Sequence, residues 1–129
     1  MTCPSREANP STLIEHDVRN QARFEDSIGI LPEFLDGYGV LALPTTGKYF
    51  QIPHGVLVPQ GVENLLVPGR CITGHEISHA AVRSMMCCTV TGQGAGVAAA
   101  GSLRDDVSCS EADITHVQAA LKPQAVRLY

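Results

Sequence analysis

Apolar residues recur at helical spacing near the start of the chain, where Ile14, Val18 and Ala22 stand four apart. Thr12 with Glu15 three positions later has the form of a capping box, so the pattern predicts a helix over residues 13–28. Its polar positions, His16, Asp17, Arg19, Arg23 and Glu25, read as a solvated face. Beyond residue 37 the pattern changes, because glycines and prolines from Gly37 to Gly69 divide the chain into short β-prone runs at 40–43, 49–52, 56–58 and 64–67. Leu65-Leu66-Val67 is continuously apolar and closed by Pro68-Gly69, as a strand buried on both faces would be. A site at its carboxyl end would fit the rule for open α/β sheets. From Ile72 onward the pattern is helical, interrupted at Gly92-Gln93-Gly94-Ala95-Gly96. The alanines at 98–100 with Leu103 suit a helix packed closely on a sheet. Ser110 with Asp113 caps a last helix, whose stripe is Ile114, Val117 and Leu121 and whose stop is Pro123. Short strands followed by two to three helices place the chain in the α/β or α+β class.

Composition narrows this to one domain. With 129 residues, 44% of them hydrophobic, the chain builds a single core over 1–129. A flexible start covers 1–11, a helix with strands and turns 12–63, and the strand and helices that follow 64–129. A domain of this size buries only roughly two thirds of its unfolded surface, so a large site is expected to be shared. Nine Lys+Arg against thirteen Asp+Glu give a net charge of −4, and the cations are scattered, which argues against a nucleic-acid partner. No apolar run approaches the ~18 residues that span a bilayer, and no basic-then-apolar leader opens the chain. The expected setting is cytoplasmic, with no membrane partner. Five cysteines without a C-x-x-C spacing read as reduced, mostly buried thiols.

Three groups of residues could carry chemistry. His75-Glu76-Ile77-Ser78-His79 matches H-E-x-x-H, which on a helix holds zinc between two imidazoles with the glutamate as base. Val82 and Met85 stand where the longer metalloprotease pattern needs Gly and His, leaving Asp105, Asp106, Glu111 and Asp113 as downstream acids for a third ligand. Gly92-x-Gly94 begins like a dinucleotide fingerprint, with Glu111 or Asp113 near the distance of a ribose-binding acid, but Val97 replaces its third glycine. What survives is a helix start whose unpaired N–H groups favour negative charge, or glycines that let a helix pack tightly. Arg70 puts a cation after the run at 64–67, as a site residue or a surface ion pair. Arg83 sits in an apolar stretch and needs an acceptor, Glu76 being the nearest in sequence.

Taken together, Tyr49-Phe50-Gln51-Ile52-Pro53, the run Val58-Pro59-Gln60-Gly61-Val62-Glu63-Asn64-Leu65-Leu66-Val67-Pro68-Gly69-Arg70-Cys71-Ile72-Thr73, His75-Glu76 with Arg83, and Gly92-Gln93-Gly94-Ala95-Gly96-Val97 form an ordered series. In order and spacing it resembles the C-terminal part of the FAD-dependent oxidoreductase family, from about Thr12 to the end. The resemblance implies a partial FAD-binding-type fold in which 64–67 is the closing strand and about 91–103 the closing helix. It implies that Gly69 and Arg70 lie along the ribityl and phosphate region of FAD. Gly92, Gln93, Gly94 and Ala95 would face the pyrimidine edge of the flavin, where a helix start would stabilise the negative charge of the reduced ring. His75, Glu76 and Arg83 would orient a small organic substrate or move its proton, and no metal is then expected. Pro68 and Gly94 stand where the family more usually has alanine, and its N-terminal strand and G-x-G-x-x-G do not occur in these 129 residues. The resemblance therefore implies a small subunit completed by a second subunit that supplies the dinucleotide-binding unit, a truncated product, or a remnant, with a homo-oligomer expected where the chain stands alone. A zinc-dependent hydrolase and a non-catalytic interaction module derived from a flavoprotein are the alternatives.

Overall fold

In the computed structural model, which describes residues 12–129, helix α1 spans only Glu15–Arg19. Ile14 is its N-cap, and the Asp17 carboxylate accepts the Ile14 N–H at 3.1 Å, satisfying a donor the helix leaves unpaired. Gln21 takes a left-handed φ of 54°, and the Ala22 N–H reaches back to the Asp17 carbonyl at 2.9 Å. That Schellman stop ends the helix after little more than a turn. The capping box at Thr12 and the helix over 13–28 are corrected accordingly. The flexible start at 1–11, with Cys3, lies outside the described residues.

Four strands follow: β1 (Ser27–Pro32), β2 (Leu35–Gly37), β3 (Val40–Ala42) and β4 (Tyr49–Pro53). β1 pairs antiparallel with β4, Leu31 opposite Phe50, with a bulge between Ser27 and Gly29. This ladder is why 27–32 is strand, since tertiary pairing outweighs the helical spacing read across Ala22. β2 and β3 form a separate hairpin with Gly37 opposite Val40. The runs at 40–43 and 49–52 are therefore strands, as predicted, but 56–58 falls at the end of a 3-10 turn (His54–Leu57). Residues 64–67 form no strand. Left-handed Gly61 and Asn64 turn the backbone there, Leu65 is 45% exposed, and the Val67 N–H finds only the Leu57 carbonyl at 2.8 Å. The expected closing strand buried on both faces is thus an open connection. Antiparallel pairs beside helices make the fold α+β, within the expected class.

Helices α2 (Glu76–Val82), α3 (Met85–Asp105) and α4 (Ile114–Leu121) complete the chain. Ser84 caps α3, its hydroxyl accepting the Cys87 N–H at 3.3 Å, and Asp106 in a left-handed conformation ends it. Asp113 alone caps α4, accepting from the Thr115 and His116 N–H groups, while Ser110 belongs to the preceding 3-10 turn. Val117 and Leu121 of its stripe are buried. Among the described residues no helix is long and apolar enough to cross a membrane.

α3 lies across β1 through two complementary contacts. A Cβ on Gly94 would meet Ile28 Cδ1 at 2.7 Å, and one on Gly29 would meet Val90 Cγ1 at 2.5 Å. Each element thus offers a glycine to the other's branched side chain. Phe50, Ile52, Leu57, Val82, Cys87, Ala98, Val117 and Leu121 gather around this crossing as one core. The C-terminus is fastened to it: Ser27 Oγ and Gln51 Nε2 donate to the Leu128 carbonyl at 3.1 and 2.7 Å.

His54 is buried in that core, 4% exposed, and its Nε2 has no partner among the described residues. Burial holds its pKa below the ordinary 6.5, partly opposed by Asp26. Because the unfolded chain then takes up the proton more readily, stability is full above about pH 6.5 and lost as the pH falls below it. His54→Phe is expected to flatten that loss in denaturation midpoints compared at about pH 7 and about pH 5. Gly94→Val should overpack the crossing and cost about 2 kcal/mol or more, read as a lower Tm. Gly92→Ala, with nothing within 4 Å of the added Cβ, should raise stability by up to about 1 kcal/mol.

Candidate functional site

The start of α2 is set by the N-terminal segment. The Leu13 N–H donates to the Thr73 carbonyl at 3.3 Å, while the His75 N–H and the Ser78 hydroxyl donate to the Leu13 carbonyl at 2.9 and 2.7 Å. These bonds leave His75 at the N-cap and Glu76 in the first turn, both exposed. His75 is thus outside the helix, and the His79 N–H donates to its carbonyl at 2.8 Å. Among the described residues no three His, Cys, Asp or Glu side chains converge to hold a metal ion.

Arg83 lies at the opposite end of α2, about 12 Å along the axis from His75, so the three expected substrate-side residues do not meet. Its acceptor is also different. Arg83 Nη2 donates to the Asp36 carbonyl at 2.6 Å, with the Asp36 carboxylate at 3.7 Å, where Glu76 was the expected partner. The hairpin β2–β3 folds back onto α2 at this point, which spacing along the chain does not reveal. The guanidinium is 52% exposed, so this ion pair contributes little to stability. Arg70 joins the same end: its Nε donates to the Arg83 carbonyl at 3.3 Å, and its own carbonyl bonds His79 Nε2 at 3.1 Å. Arg70 therefore caps a helix C-terminus, where a cation is favoured.

The glycine cluster lies inside α3 rather than at its start. α3 begins two turns earlier, at Met85, so the N–H groups at 92–96 point along the helix and bond within it. The expected field of unpaired donors at Gly92 is corrected on that ground. The cluster also has two faces. Gly94 and Ala95 are buried, Gly94 against Ile28, whereas Gly92 and Gly96 are exposed with nothing within 4 Å of an added Cβ, and Gln93 is half-buried.

Gly69, with φ of 75°, opens the 3-10 turn Gly69–Cys71, and its N–H donates to Thr91 Oγ1 at 2.9 Å. The same hydroxyl donates to the Cys87 carbonyl at 2.6 Å. Buried Thr91 thus joins the Gly69–Arg70 turn to α3 one residue before Gly92. Cys87 beside it is inert, since burial first, and then neighbouring Cys88, push its thiol up to about 12.

A model of the FAD dependent oxidoreductase family matches residues 9–121. The chain belongs to this family. Comparison with curated proteins and with solved structures found no match. The family is FAD-dependent. The exposed backbone at Gly92 and Gly96, free of side chains and next to the Gly69–Arg70 turn, suits the close approach of one edge of a large ligand. The cavities of about 200–320 Å³ among the described residues are lined by residues other than Gly69, Arg70, Gly92 and Gly96, and are too small to enclose a dinucleotide. The fit is therefore to one side of the cofactor.

Two features had no place in the sequence reading. Thr91 looks like any helical threonine until Gly69 is found beside it. Tyr38, exposed at the β2–β3 turn, carries no hairpin signal, because Tyr-Gly is not among the Asn-Gly, Asp-Gly or Gly-Gly pairs that mark a two-residue hairpin. Thr91→Val should leave the Gly69 N–H without its acceptor and cost about 1–3 kcal/mol, measured as a fall in Tm.

Proposed function

We propose that this chain is the C-terminal part or small subunit of an FAD-dependent oxidoreductase. It completes a flavin site with a second chain or second copy and supports oxidation of a small organic substrate. FAD, when bound, supplies the two-electron chemistry by accepting hydride from that substrate. The observation that carries the reading is the Gly69–Thr91 hydrogen bond, which makes the two cofactor-side segments of the family pattern one continuous surface. On that surface Gly92 and Gly96 of α3 admit close approach of the ring edge, with Gly94 and Ala95 setting the helix against β1 and the Gln93 side chain held by Gln124. Gly69 and Arg70 flank the ribityl and phosphate side. Of the three substrate-side residues, Arg83 orients substrate from the end of α2, and His75 and Glu76, at the opposite end of that helix, take no part in the same contact.

The partner reading draws on the open face of α3. Met85, Thr89, Gly92, Gly96 and Leu103 recur there at helical spacing and are exposed, Met85 and Leu103 each by 84%. In this proposal a partner covers that face, with Met85 and Leu103 as its apolar contacts. The same stripe would serve a non-catalytic interaction module, so the two readings separate on flavin. A cytoplasmic setting suits the free thiols Cys71 and Cys109.

The test is purification of the full chain, alone and co-expressed with a glycine-rich dinucleotide-binding partner, with added FAD and a visible spectrum. Retained flavin is expected in the complex, and Gly92→Val is expected to reduce it about tenfold without lowering Tm, because a branched side chain then fills the open helix face. A stable oligomer by light scattering that holds no flavin under either condition would overturn the flavin site in favour of the interaction module.

A further inference from the structure

The cleft between the β2–β3 turn and the end of α2 has the makings of a ligand site in its own right. Asp36, Gly37, Tyr38, His79, Ala80 and Arg83 line an open cavity of about 250 Å³. A guanidinium carries five N–H donors in a planar fork. Among the described residues the Arg83 side chain makes one hydrogen bond, to the Asp36 main-chain carbonyl, with the Asp36 carboxylate standing off at 3.7 Å. The rest of the fork is uncommitted. Arg70 does not line the cavity; its Nε donates to the Arg83 carbonyl and so holds the end of α2 in place, which leaves Arg83 as the cation that faces the Asp36 carboxylate.

Tyr38 is the independent observation. It and Gly39 both have positive φ, 53° and 75°, the pattern of a type I′ hairpin turn. That turn prefers Asn, Asp or Gly at its first position, and a bulky aromatic residue there is strained. The core gains nothing in return, because Tyr38 is 67% exposed. Gly37 approaches α2 so closely that a Cβ would lie 3.3 Å from Ala80 Cβ, which sets the strained tyrosine over the cleft. The bond from His79 Nε2 to the Arg70 carbonyl fastens the facing wall.

We propose that this cleft binds a small carboxylate-bearing molecule, with Arg83 as the bidentate anchor and Tyr38 as a hydroxyl donor held at its mouth. A planar, singly charged carboxylate matches the fork and can take the place that Asp36 holds loosely. A doubly charged phosphate meets stronger repulsion from the same Asp36. As the substrate class of the flavin enzyme this rests on the function proposed above, but the binding itself is measured without flavin.

The experiment is an NMR titration of the full chain with sodium propionate, with phosphate and chloride at matched ionic strength. Saturable shifts are expected at Gly37, Tyr38 and Ala80 with propionate only. Arg83→Lys should weaken binding about tenfold, since an ammonium cannot present the fork. Asp36→Asn should tighten it several-fold by removing the internal competitor, roughly the effect of one close charge. Tyr38→Asn should raise Tm while weakening binding several-fold, a split that a purely structural tyrosine would not produce. Equal shifts with chloride, tighter binding of phosphate, unchanged affinity in Arg83→Lys, or unchanged affinity in Tyr38→Asn would each overturn the proposal. Saturable propionate binding by a chain that never retains flavin would sink the flavin reading alone.

Discussion

The fold depends on the crossing of α3 over β1. Gly29 on the strand receives Val90 of the helix, and Gly94 on the helix receives Ile28 of the strand, so the two backbones meet closer than any pair of side chains would permit. Close-packed interiors transmit such constraints, because atoms displaced at one contact have nowhere to go. With α3 seated, Cys87, Ala98 and the buried side of α4 close around Phe50 and Ile52, and the Leu128 carbonyl is brought to Ser27 and Gln51.

That seating divides α3 into two faces with different purposes. Gly94 and Ala95 are consumed by the core, and Gly92 and Gly96 are left on the outside. A glycine cluster that looks uniform along the chain thus serves packing on one side and open backbone on the other. The distinction matters for a member of a flavoprotein family, since only a bare outer face can receive a flat ligand or a partner. Thr91, buried between the faces, links the outer surface to the Gly69–Arg70 turn. Its hydroxyl both donates and accepts, which is why one small residue can bind helix and turn together.

At the far end of α2 the balance runs the other way, with stability given up for placement. Tyr38 occupies a left-handed turn position that Asn would fill with less strain, and Arg83 is only loosely paired. Strain and loose pairing of this sort persist where the surroundings hold them in position, and here Gly37 against Ala80 and Arg70 on the end of the helix do so.

The residue pattern by itself determined the family, the mixed class, the strands at 40–43 and 49–52, and the buried stripe of the last helix. These are legible because alternation, capping and motif spacing are local properties. Contacts between segments far apart in sequence decided the rest. Pairing of β1 with β4 turned a helical-looking stretch into strand, and left-handed Gly61 and Asn64 opened the expected strand at 64–67. Ser84 started α3 before the glycines, because a capping hydroxyl stood ready there and glycine costs only about 1 kcal/mol inside a helix that tertiary packing supports. Asp36 took Arg83 from Glu76 because a hairpin folds back across α2, a proximity that only three-dimensional packing creates.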